Sequence, residues 1–147
     1  MAGELRVDSN ELEWEDYVCY REGLPFSGVA FELRPNGALW SEQTYAGGLL
    51  DGISRDYHEH GGLDSETVYK LGIANGPSRA FYPSGKPKYE RLIELGIVVR
   101  AREYDENGAV VKDQTLQPSD SNYRLLEAAR AREPQRIRQI QARLGPK

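Results

Sequence analysis

The amino-acid sequence predicts a mainly β fold, an elongated antiparallel meander sheet of tandem β-hairpins followed by one or two C-terminal α-helices. Three observations carry this expectation. Glycines recur at a fixed period of 24 residues, the runs between them alternate in polarity as strands do, and from about residue 119 the pattern gives way to helix-forming residues. A period of that length marks a stack of small units, none of which can bury a core alone.

Gly28, Gly52 and Gly76 are spaced by 24, and Arg100 stands where the next would fall. Gly37, Gly61 and Gly85 keep the same spacing, with Gly108 following 23 later, and Gly48, Gly72 and Gly96 form a third series. Other positions keep step: Tyr20, Tyr45, Tyr69 and Ile93; Leu33, Tyr57, Phe81 and Tyr104; Glu42, Glu66, Glu90 and Asp113. These glycines, with Tyr45 and Tyr69, read as structural. Arg100 reads as the loss of a turn glycine in an atypical last unit, since terminal repeats commonly cap a stack.

Each unit supplies two strands and two turns. The segments RPNG, HEHGG, YPSG and DENG bring Pro, Asn, Asp and Gly where a tight hairpin needs a preset or positive φ. Alternation places Leu39, Ser41, Gln43 and Tyr45 on one face, and Trp40, Glu42 and Thr44 on the other. In the next unit Leu63, Ser65, Thr67 and Tyr69 oppose Asp64, Glu66 and Val68. Residues 1–19 are expected to cap one end, with 11–20 as an opening edge strand. Residues 20–116 hold about four units, and the whole chain forms one domain.

Residues 119–145 read as helical. Ser119 to Asn122 offer N-caps, Pro134 suits the first turn of a second helix, and Gly145 would end it. Leu125, Leu126, Ala129, Ile137, Ile140 and Leu144 could form an apolar stripe. That stripe would lie on one sheet face or cover the exposed edge strand. The alternative is a basic arm reaching a partner or nucleic acid, because six arginines project from this segment.

Net charge is −4, unevenly spread. Residues 1–123 carry 12 Lys and Arg against 21 Asp and Glu, while residues 124–147 carry 7 against 2. An acidic body is a poor match for nucleic acid, whose phosphates are bound by Lys and Arg, and for anionic membranes. It suits a basic partner. The single Cys19 excludes an intramolecular disulfide and reads as a small buried hydrophobe. No apolar run is long enough for a membrane helix, and the first residues lack a signal-peptide pattern, so a cytoplasmic location is expected.

The stretches YREGLPFSG, YAGGLLDG and YKLGIANG, followed by LRPNGALWSE, YHEHGGLDSE and YPSGKPKYE, resemble the MORN-repeat variant proteins over roughly residues 20–116. Proteins built this way include the YwqK-type antitoxins. The resemblance therefore implies an antitoxin or immunity protein that binds a cognate bacterial toxin, a basic nuclease-like enzyme being one example. It brings no catalytic residues.

The residues themselves add little chemistry. His58 and His60 could share a strand face, but two imidazoles make no metal site, and a solvent-facing turn is the simpler reading. The recurring Glu42, Glu66 and Glu90 form a carboxylate ladder. Regular repetition argues against a catalytic pair; acceptance of hydrogen bonds, from turn amides or from Arg55 and Arg79, is favoured over recognition. No phosphate-cradling loop or nucleophile elbow is present. No catalytic residue, metal or cofactor is therefore expected, and Trp40, Glu42, Tyr57, Glu66, Tyr82 and Glu90 form the expected partner-binding set. A non-catalytic scaffold, or a membrane-peripheral module acting through the basic tail, is the alternative.

Overall fold

A computed structural model describes residues 5–144. Its strands in chain order are β1 (Arg6–Asp8), β2 (Glu13–Glu15), β3 (Val18–Arg21), β4 (Leu24–Pro25), β5 (Gly28–Leu33), β6 (Leu39–Ala46), β7 (Leu49–Tyr57), β8 (Leu63–Lys70), β9 (Ile73–Phe81), β10 (Pro87–Glu94), β11 (Ile97–Tyr104) and β12 (Val110–Thr115). One helix, α1 (Ser121–Leu144), follows. β5 to β12 pair antiparallel in sequence order, and β1 adds to β5 in parallel, giving a nine-stranded sheet. β2, β3 and β4 form a separate three-stranded sheet. The expected meander of hairpins is therefore the observed architecture.

Two kinds of turn build it. At one end of the strands the four segments singled out in the sequence share one geometry, with paired backbone bonds such as His58 N–H to the Gly62 carbonyl at 2.8 Å and Gly61 N–H to the His58 carbonyl at 2.9 Å. The glycine there has φ between 85° and 96° in all four loops (Gly37, Gly61, Gly85, Gly108), the left-handed residue of a three-residue hairpin loop. At the other end two-residue turns place both residues at positive φ, as at Leu71 and Gly72. The Gly48, Gly72 and Gly96 amides each reach back one unit, to the carbonyls of Phe26, Leu50 and Ala74, all at 2.8 Å. Those bonds stitch successive units together.

Gly52 and Gly76 are not turn residues. They lie inside β7 and β9 at register shifts, where two extra residues bulge out and φ reaches 113° and 139°. Against β10, strand β11 carries only one extra residue, since Leu92 faces Arg100 and Ile93 faces Val98. The fourth unit is thus one residue short because its bulge is smaller. Arg100 is not among the residues with positive φ, so no glycine is needed there.

The amino-terminal segment departs from the expected edge strand. Residues 11–20 form two short strands around a tight turn at Asp16 and Tyr17, and the edge beside β5 is taken by β1. Val7, Leu12, Cys19, Phe26, Ala30 and Tyr45 make one buried cluster, so the small sheet packs on the face that carries Ala30 and Tyr45. Burial pushes the Cys19 thiol up to about 11.

A single helix replaces the expected break at Pro134, which lies inside α1. Proline removes one intrahelical N–H bond, yet the helix continues, held to the sheet on both sides of it. Arg130 Nη2 donates to Glu94 at 2.7 Å, Arg136 Nη1 to the Leu71 carbonyl at 2.9 Å and Arg143 Nη2 to Asp16 at 3.1 Å. At 24 residues α1 is about 36 Å long, and the six strand steps from β12 to β6 span about 29 Å. The helix therefore crosses the row of two-residue turns on the Tyr45 face rather than covering the edge at β12, whose six residues are all exposed. Leu126 is 1% exposed, whereas Leu125 is 58% exposed and leaves the expected stripe; consecutive helical residues point about 100° apart. The side chain of Leu144 and all of Gly145 lie outside the described residues.

Candidate partner-binding face

The helix and the small sheet pack on one face of the large sheet, along its row of two-residue turns. On the other face, no described element packs. Strand pairing aligns a single row across it: Phe31, Glu42, Arg55, Glu66, Arg79, Glu90, Arg102 and Asp113. From Glu42 onward the signs alternate at every strand. Opposite charges directly across from each other stabilise a sheet modestly, and like charges there would destabilise it. The carboxylate ladder expected from the sequence is therefore an ion-pair ladder, with arginine on each intervening strand.

Its members differ in how fully they are paired. Glu66 uses both oxygens, accepting from Arg55 Nε at 3.1 Å and from Arg79 Nε at 3.0 Å. The Arg79 guanidinium lowers its carboxyl below the usual value, burial opposes this, and Arg55 adds to the lowering. Glu42 accepts from the Tyr57 hydroxyl at 2.6 Å and from Arg6. Burial alone would raise the Glu42 carboxyl, but those two hydrogen bonds and the Arg6 and Arg55 charges outweigh it and lower it. Burial, then the bond to Glu42, pushes the Tyr57 hydroxyl up to about 12. Glu90 has the looser environment, with the Tyr104 hydroxyl at 3.3 Å. Asp113 ends the row, accepting from Arg100 and Arg102.

Arg34, His58 and Tyr82 occupy equivalent places just before the hairpin loops. Each side chain bonds a main-chain carbonyl one unit on: Arg34 Nη2 to Tyr57 at 2.7 Å, His58 Nε2 to Phe81 at 3.0 Å, and the Tyr82 hydroxyl to Tyr104 at 2.7 Å. Three chemically different residues do the same work of joining neighbouring hairpins. His58 also stacks on His60, with ring centroids 5.2 Å apart. No group of three or more potential metal ligands occurs among the described residues.

Of the six residues expected to bind a partner, Trp40, Glu42, Tyr57, Glu66 and Glu90 share the uncovered face. Trp40 is 44% exposed, with the Arg34 guanidinium 5.0 Å from its ring centroid. Tyr82 sits at a loop base with its hydroxyl committed to the Tyr104 carbonyl. Sequence reasoning passed over a second row on this face, Ile53, Val68, Pro77 and Leu92. Ile53 and Leu92 are large and exposed, and their signal was present as the residues two away from Arg55 and Glu90. It also passed over Trp14 and Tyr17 of the small sheet, both exposed.

β7 with β8, and β9 with β10, are the hairpins joined by the glycine loops. Residues 50–71 and 74–93 match the MORN repeat variant. The chain thus carries MORN-type repeats in its second and third units. The flanking hairpins β5–β6 and β11–β12 continue the same ladder, though the match does not extend to them. No curated protein and no solved structure matches the chain. No described helix is long and apolar enough to cross a membrane.

Proposed function

We propose that this chain is a non-catalytic protein-binding module and, more specifically, an antitoxin or immunity protein that holds a cognate toxin. One observation carries the reading: no described element packs on the face bearing the ion-pair ladder, although its side chains hold one another in place. Surfaces held in place before binding lose little freedom on association. An apolar row beside a paired charged row, with Trp40 and Tyr57 at one margin, has the mixture of ring and charge found at interface centres. The MORN-type repeats support the scaffold part of this reading. The resemblance to YwqK-type antitoxins supports the toxin part, with a basic nuclease-like enzyme as one partner that fits.

Co-expression with the products of neighbouring genes tests it. A toxic neighbour should be neutralised by this chain and recovered in complex with it, and replacing Ile53 and Leu92 with Asp should abolish both effects. Absence of any toxic neighbour, or neutralisation that survives those replacements, would overturn the reading.

A second reading, a membrane-peripheral module, draws on α1. Arg124, Arg132 and Arg138 are exposed and take part in no ion pair among the described residues. Reversing these three to Glu should then release the chain from anionic vesicles in sedimentation. If the unaltered chain does not sediment, this reading fails.

A further inference from the structure

The ladder sets four carboxylates against three arginines, with Arg6 and Arg100 paired onto its two end carboxylates, so most of the chain's excess negative charge lies elsewhere. Among residues 9–25 there are five acids, Glu11, Glu13, Glu15, Asp16 and Glu22, against Arg21 alone. All five are exposed, and only Asp16 has an ion-pair partner among the described residues, Arg143.

Two aromatic rings stand in the same place. Trp14 is 51% exposed and Tyr17 is 97% exposed. Tyr17 is also out of keeping with the rest of the fold. Five two-residue turns have both residues at positive φ: Asp16–Tyr17, Glu22–Gly23, Gly47–Gly48, Leu71–Gly72 and Leu95–Gly96. Four of them end in glycine, which reaches φ of 79–85° without a steric cost. Tyr17 adopts 68°, a conformation a bulky side chain enters only against steric resistance. At 97% exposure its side chain gains almost no burial among the described residues to offset that cost.

We propose that the β2–β3 hairpin is a contact surface for a basic protein, with Tyr17 as its anchor. Tyr and Trp are the side chains most often found to dominate binding energy, and the surrounding carboxylates set the sign of the partner. Lys- or Arg-bearing apolar surface matches this patch, whereas nucleic acid and anionic lipid are repelled by it. The proposal rests on the reading of the chain as a protein-binding module and adds where charge recognition sits.

The test compares the full chain with Tyr17→Gly, and with Leu125→Ala as a control that removes exposed apolar surface from α1. Thermal melting comes first. Tyr17→Gly should raise the melting temperature by about 2–6 °C as backbone strain is relieved, where a residue that stabilised the fold would lower it. Binding is then read by fluorescence anisotropy with a labelled peptide of alternating Arg and Leu. The parent should bind with an affinity that falls as salt is added, Tyr17→Gly should weaken binding at least about tenfold, and Leu125→Ala should stay within about twofold of the parent. A lower melting temperature for Tyr17→Gly, no binding by the parent, or equal binding by parent and Tyr17→Gly would each overturn the proposal. Because the peptide replaces any natural partner, failure to find a toxic neighbour would remove the antitoxin reading and leave this result standing.

Discussion

Glu66 and Glu90 hold equivalent places in the repeat, yet replacing each by Gln should have unequal effects. Glu66 is held by two arginines whose side chains are 41% and 51% exposed, so each contact is worth about 0.5–1 kcal/mol after solvent screening. Removing the charge from Glu66 leaves both arginines without their shared partner and should cost about 1–2 kcal/mol. Glu90 has one hydroxyl at 3.3 Å, and its replacement should cost about 0.5 kcal/mol or less. At this chain length a kcal/mol corresponds to about 2–4 °C in melting temperature. Glu66→Gln should therefore melt about 3–6 °C below the parent, and Glu90→Gln about 1–2 °C below it. Urea unfolding of both variants, with Arg79→Met in the Glu66→Gln background, would show whether the loss resides in that pair. Equal costs for the two replacements would refute the argument that side-chain geometry, rather than repeat position, sets the worth of a ladder carboxylate.

Two further outcomes are expected. Leu126→Ala removes the one fully buried apolar side chain of the described helix and should cost about 2–4 kcal/mol; hydrogen exchange should speed up along α1 while β6 to β11 stay protected. Glu42 and Glu66 both have carboxyls lowered in the folded state. Their stabilisation is thus complete above the unfolded value of about 4.3 and is lost as pH falls through the folded values. Urea midpoints should drop below that pH, with a shallower slope in Glu66→Gln.

Much of this architecture is legible from spacing alone. Hairpin loops must place a positive φ at fixed intervals, so Gly37, Gly61, Gly85 and Gly108 mark them directly. Alternation then assigns faces, as Trp40 and Glu42 against Ser41 and Gln43 illustrate. The same logic misplaced Gly52 and Gly76, because a bulge inside a strand and a turn between strands both demand glycine. It also broke α1 at Pro134, since the side-chain contacts that carry a helix past a proline come from residues distant in sequence: Glu94, Leu71 and Asp16.

Repeat period, strand alternation and the uneven charge of the chain were determined by the amino-acid order itself, being consequences of local backbone geometry and composition. Register was decided by the tertiary structure. Only strand pairing sets Arg55 directly between Glu42 and Glu66, turning a row of acids into a ladder of alternating sign, because the members of each pair lie 11 to 13 residues apart. Packing likewise decided which aromatic rings are used up. Tyr45 is buried against Phe26, while Tyr17, in a hairpin of the same type as its glycine-ended counterparts, is left standing in solvent.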